Sequence, residues 1–214
     1  MNSRERILGR LRAARQPFQD VPPVETTHHV VPLDDISSDA LRKRFVQEAE
    51  KLSCRVWQLA DTDEALAQLL SLLDGDDMII SWDFGCIPLP GLGEALAGAD
   101  VRVAEPRDAA VRVGLTGVDA AIASTGTLLL TSGPGRPRQA SLLPPVHIAV
   151  MTQSQIIPDF EAWVARQREA GLEQMQASSN IVLISGPSRT ADIAMELIMG
   201  VHGPGEVHVL LLPD

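Results

Sequence analysis

From Ser38 to the C-terminus the chain alternates short apolar runs with segments whose apolar residues recur at helical spacing, and this alternation constrains the fold more than any other feature. Leu41, Phe45, Ala49 and Leu52 share one helix face, and residues 55–59 read as a strand. Asp61-Thr62-Asp63-Glu64 resembles a capping box ahead of Leu66, Leu69, Leu70 and Leu73. Residues 78–80 form a short buried strand, Pro90 opens a brief helix to Ala97, and residues 101–104 are a further strand. Ala120–Ile122 and residues 128–131 flank Ser124-Thr125-Gly126 as paired strands about a tight turn. Beyond them come a strand over 146–151, a helix over 159–170, a strand over 181–184, a helix over 190–198 and a last strand, Glu206–Leu212. Strands separated by helices predict an α/β fold with a mainly parallel sheet covered on both faces.

Ahead of this body, residues 3–15 carry five Arg and one Glu with Ile7, Leu8 and Leu11 on one face, which predicts an amphipathic helix. It reads as docked on the body or on a partner subunit, as lying on a membrane surface, or as a solvated tail. Pro17, Pro22, Pro23 and Pro32 make residues 16–32 an extended linker, so the chain divides into an appendage over 1–36 and one domain over 37–214.

A net charge of -10 opposes binding to a phosphate backbone and argues against a nucleic-acid protein. The two cysteines, Cys54 and Cys86, lack metal-ligand spacing, so no cofactor or metal is expected within this chain. No apolar run nears the roughly 18 residues that span a bilayer, and no signal-peptide core opens the chain, which points to the cytoplasm.

The richest segment is Ser185-Gly186-Pro187-Ser188-Arg189-Thr190-Ala191-Asp192, leaving the strand over 181–184 for the predicted helix. Ser188 and Thr190 can cap that helix while its N–H groups face an anion, and Gly186 lets backbone approach closely. Arg189 offers a planar fork to a carboxylate or phosphate, or forms a structural ion pair. Asp192 lies in the first turn as a cap, as an orienter of Arg189, or as a ligand contact.

A helix terminus contributes roughly 0.3–2 kcal/mol and a charge-assisted hydrogen bond about 1.5–3 kcal/mol, whereas association costs at least about 4 kcal/mol. A second wall is therefore needed. Ser124 with Thr125, Gly126 and Thr127 is the best candidate, although the same residues suit a plain hairpin turn. The loop over 132–138 is a candidate cover, and it matches neither GxxxxGK[ST] nor GxGxxG, so ATP and NAD are not expected. His202, at a Gly/Pro turn, suits a ligand contact or a structural residue; His147 suits a buried core histidine or a site, and His208 suits a structural one. No nucleophilic triad is recognisable and the catalytic residues stay unassigned.

Four ordered segments, 123–128, 141–148, 185–193 and 200–204, together strongly resemble the LutC/YkgG family of lactate utilisation proteins. The similarity runs from about residue 40 onward and touches the Arg-rich first helix. It implies a LUD domain with a three-layer α/β/α fold similar to the NagB/RpiA/CoA-transferase group. It implies a subunit or accessory protein of an L-lactate-oxidising system that yields pyruvate with iron–sulfur partner proteins, this chain binding a small carboxylate or a partner at its strand ends. The alternative implied by the fold group is a stand-alone enzyme of CoA-transferase or sugar-phosphate isomerase type. Ser124 stands where the family usually has an acidic residue, which removes the carboxylate that such transfer chemistry uses.

Overall fold

A computed structural model of the chain describes residues 2–14, 33–191 and 197–214. The predicted linker over 16–32 and Asp192 lie outside the described residues. The chain forms two compact units, Met1–Val31 and Pro32–Asp214. In the first, α1 (Ser3–Ala14) begins with a reciprocal cap in which the Glu5 N–H donates to Asn2 Oδ1 at 2.9 Å and the Asn2 N–H donates to Glu5 Oε2 at 3.1 Å. Ile7 and Leu11 are exposed on it.

The second unit runs α2 (Ser38–Lys51), β1 (Arg55–Gln58), α3 (Thr62–Leu73), β2 (Met78–Ser81), α4 (Leu92–Gly98), β3 (Arg102–Val103), β4 (Val113–Thr116), β5 (Ala120–Ile122) and β6 (Thr127–Ser132). It continues through α5 (Gln139–Leu142), β7 (Val146–Thr152), β8 (Ile156–Ile157), α6 (Phe160–Glu169), α7 (Glu173–Ala177), β9 (Asn180–Ile184), β10 (Arg189–Ala191), β11 (Leu197–Met199) and β12 (Glu206–Leu212). Asp61 and Asp159 cap α3 and α6 by accepting from the Glu64 and Ala162 N–H groups at 2.9 and 2.8 Å.

Six strands form one wholly parallel sheet in the order β1-β12-β7-β4-β2-β3. Parallel strands need both faces covered, and β4, β7 and β12 are accordingly buried almost end to end. From β2 the chain moves outward to β3, then returns to β4 and proceeds through β7 to β12. The direction of winding thus reverses between β2 and β4, and a ligand crevice is expected beyond their carboxyl ends.

A second sheet, ordered β8-β5-β6-β9, adds a layer that the predicted helix–sheet alternation does not contain. Ala121, Leu128 and Leu130 of this sheet join the main core with Phe45 and Ala49 of α2, while Ala120, Ile122 and Leu129 pack on Trp163 of α6. The strand expected over 181–184 belongs here as β9, antiparallel to β6, rather than in the parallel sheet.

Two other expectations change. Strand β4 escapes the sequence pattern because Gly114 interrupts its apolar run, yet Gly114 is required there: a Cβ would sit 1.7 Å from the Ala140 carbonyl oxygen of α5. At the described ends of the helix predicted over 190–198 the chain instead forms the β10–β11 ladder, pairing Arg189 with Met199, Thr190 with Ile198 and Ala191 with Leu197. β-branched Thr190 and Ile198 suit this pairing, and the Gly200 N–H extends it by donating to the Ser188 carbonyl at 2.9 Å. Pairing overrides the helix propensity of Ala191 and Leu197.

Candidate functional site

Thr125, Gly126, Thr127, Ser185, Gly186 and Arg189 converge against the last turn of α2. Gly126 is left-handed at φ 65°, and a Cβ there would lie 2.2 Å from the Ala49 nitrogen. Gly186, at φ 88°, approaches the Leu52 carbonyl oxygen so closely that a Cβ would lie 2.4 Å from it. Only glycine suits either position. A hydroxyl chain joins the two motifs, with Thr125 Oγ1 donating to Thr127 Oγ1 at 2.8 Å and Thr127 Oγ1 meeting Ser185 Oγ at 2.8 Å.

Arg189 donates to the Leu52 carbonyl and, at 2.8 Å, to Ser53 Oγ, so its guanidinium satisfies the carboxyl end of α2. With a strand in place of the predicted helix, no helix terminus stands at this turn, and the dipole contribution expected for anion binding is absent from it. Beneath it Cys54 is buried, and desolvation pushes its thiol up to about 11 against the opposing influence of Arg189 and the Gly186 N–H.

Ser188 and His202 belong to a neighbouring arrangement at the amino ends of the parallel strands. The Ser188 N–H donates to the Pro204 carbonyl at 2.8 Å, and the His202 N–H donates to Ser188 Oγ at 3.3 Å. His202 lines a cleft of about 740 Å³ with Val146 and Glu206, the first residues of β7 and β12, and with Arg112 just before β4. Leu142, Leu143, Met199 and Val201 line the same cleft and are 41–48% exposed, an apolar concentration inside a polar surround. Arg112 does not point a bare charge into it: Nε donates to Asp76 Oδ2 at 2.8 Å, and Nη2 donates to the Leu72 and Leu73 carbonyls at 3.0 and 2.9 Å.

The opposite, carboxyl ends of β2 and β4 hold residues that no local motif announces. Asp119, three positions beyond β4, accepts from Arg136 Nη1 at 2.7 Å and from the Thr131 N–H at 2.5 Å. Arg136 also donates to Thr131 Oγ1 at 3.3 Å, reaches the Cys86 thiol, and lies 5.2 Å over the ring of Trp82, the residue after β2. The Asp83 N–H donates to the Gly135 carbonyl at 2.7 Å, fixing the loop over 132–138 across the strand ends. That loop reads in the sequence only as a cover; its partners Trp82, Cys86 and Asp119 become visible only when the winding reversal places β2 beside β4.

The buried histidines lie within the sheet. His147 Nε2 is 2.9 Å from Thr116 Oγ1, and desolvation, reinforced by His208, lowers its pKa to about 4. This is a neutral core imidazole. His208 accepts from Trp57 Nε1 at Nδ1, 3.2 Å away, which puts its own proton on Nε2, 3.4 Å from Glu206 Oε2. Its pKa is lowered by burial, with Glu206 opposing. Among the described residues no group of three or more His, Cys, Asp or Glu is placed to hold a metal ion.

A winding-reversed, wholly parallel six-stranded sheet with helices and a second, smaller sheet packed on it defines an α/β domain. A family model for the LUD domain matches residues 42–212. Lactate utilization protein C of an Exiguobacterium species is 30% identical over 234 residues, spanning 100% of this chain and 97% of that protein. Lactate utilization protein C of Macrococcus caseolyticus is 35% identical over 164 residues, 71% of this chain and 68% of that one. The chain belongs to the LUD domain family, in its lactate utilization protein C group. The crystal structure of a DUF162 family protein from Deinococcus radiodurans shares the fold, with a TM-score of 0.62 at 23% identity over 83% of this chain and 99% of that one. No helix among the described residues is long and apolar enough to cross a membrane.

Proposed function

We propose that the chain serves lactate utilisation as a non-redox component of a system that oxidises L-lactate to pyruvate, with the iron–sulfur clusters carried by partner proteins. Membership in the family and the full-length similarity to lactate utilization protein C support the lactate role. The motif residues Thr125–Thr127, Ser185–Thr190 and His202 are read as the framework of a face offered to a partner. The observation that carries this reading is the cleft beside His202, where four half-exposed apolar side chains gather. Partner contact suits this end better than carboxylate capture, because Arg189 and Arg112 are already committed to helix carboxyl ends.

Reconstitution with the iron–sulfur proteins of a lactate-utilisation system tests it. Omitting the chain, or introducing Val201→Asp into the cleft, is expected to lower lactate-dependent dye reduction at least tenfold, about 1.4 kcal/mol of coupling. Unchanged reduction without the chain overturns the role.

A further inference from the structure

We propose that the crevice beyond the carboxyl ends of β2 and β4 is a binding site for a small carboxylate, held by Arg136. The position is the one at which the winding of the parallel sheet reverses, where neighbouring loops part and leave room above the strands. Beside it, between Cys86 in the segment after β2 and the carboxyl end of β6 with its following loop, a cavity of about 340 Å³ opens, lined among others by Thr131, Ser132, Gly133 and Arg136. That volume suits a small metabolite.

The guanidinium is prepared for a planar anion. Asp119, whose side chain is 8% exposed, engages Nη1 from behind while its other oxygen is taken by the Thr131 N–H, so the fork is fixed before a ligand arrives. Trp82 supports its face. Among the described residues, a cation, hydroxyls and a thiol line the cavity and no carboxylate does, with Asp119 outside the lining. Of the five guanidinium donors, those not engaged by Asp119, Thr131 and Cys86 are left for the oxygens of a carboxylate.

The neighbouring charges also limit the ligand. Asp119 already neutralises Arg136, and Asp83 is tied to the covering loop, so a dianion such as phosphate meets more repulsion than a monoanion. This site does not involve Arg189 or His202 and does not depend on the lactate role.

Cys86 supplies the readout, because it lines the cavity and is half-buried, whereas Cys54 is buried with a raised pKa and resists alkylation. Alkylation of the full-length protein by N-ethylmaleimide is followed with acetate, L-lactate, pyruvate and inorganic phosphate. At least one carboxylate is expected to slow Cys86 modification about fivefold or more, with phosphate weaker. Arg136→Lys, which keeps the charge but loses the fork, is expected to abolish protection, and Arg189→Ala to retain it. Ala177→Trp, an exposed lining position away from the ion pair, is expected to abolish carboxylate binding by isothermal titration whether or not Arg136→Lys folds. No protection of the wild type by any of the three carboxylates overturns the proposal. So does protection that survives Arg136→Lys or binding that survives Ala177→Trp. Failure here leaves the reconstitution result untouched, and failure there leaves this one.

Discussion

The two ends of the parallel sheet use arginine in opposite ways. At the amino ends and along α2, Arg112 and Arg189 donate to backbone carbonyls of helices α3 and α2, so their forks are consumed by the fold. At the carboxyl ends, Arg136 rests on an aromatic face with one carboxylate behind it and a cavity in front. A guanidinium that caps a helix stabilises a chain terminus, whereas one oriented from behind is pre-organised for an incoming anion. The sequence features Arg189 more prominently, and the topology favours Arg136.

Four perturbations sharpen this contrast, beginning with the buried link between the ends. His147 pairs with Gly114 in β4 and contacts Thr116 near its carboxyl end. In the unfolded chain its imidazole protonates near 6.5, and in the fold only near 4. Between those values the unfolded state binds more protons, so stability is complete above about pH 6.5 and falls as pH drops toward 4. The loss is roughly 3 kcal/mol. Urea titrations across that range should show the slope, and His147→Leu should flatten it.

Arg136→Ala should come next, lowering stability by about 2–3 kcal/mol, because it leaves the carboxylate of Asp119 nearly buried without its cation. Chemical denaturation of the variant beside Arg136→Lys separates lost charge from lost geometry. Arg189→Ala should cost only about 1 kcal/mol, the scale of an exposed helix-end contact, and should leave carboxylate binding unchanged. Val201→Asp should alter stability by less than about 0.5 kcal/mol, since Val201 is an exposed position. Its effect should instead appear as loss of partner capture in a pull-down with the iron–sulfur proteins.

Much of the fold was legible because continuous apolar runs and caps carry their own punctuation. β12 lies at its expected limits, and α3 starts after Asp61 as its capping pattern requires. The losses have specific causes. Gly114 masks β4 because it is selected by the Ala140 carbonyl rather than by strand propensity. The segment 190–198 contains good helix formers, but its described ends, 190–191 and 197–198, pair as a ladder that Ser188 and Gly200 extend. In the sites, glycine and hydroxyl motifs led to real convergence at α2, with Gly126 and Gly186 serving close backbone approach. Trp82, Asp119 and Arg136 were illegible as a group because their proximity depends on β2 lying beside β4, which no local spacing encodes.

The division of labour between the two ends is tested most directly by carboxylate titration of the full-length protein by calorimetry, comparing Arg136→Lys with Val201→Asp. Binding lost in Arg136→Lys and intact in Val201→Asp is the predicted result. Binding intact in Arg136→Lys and lost in Val201→Asp would place the ligand at the amino ends and contradict the account.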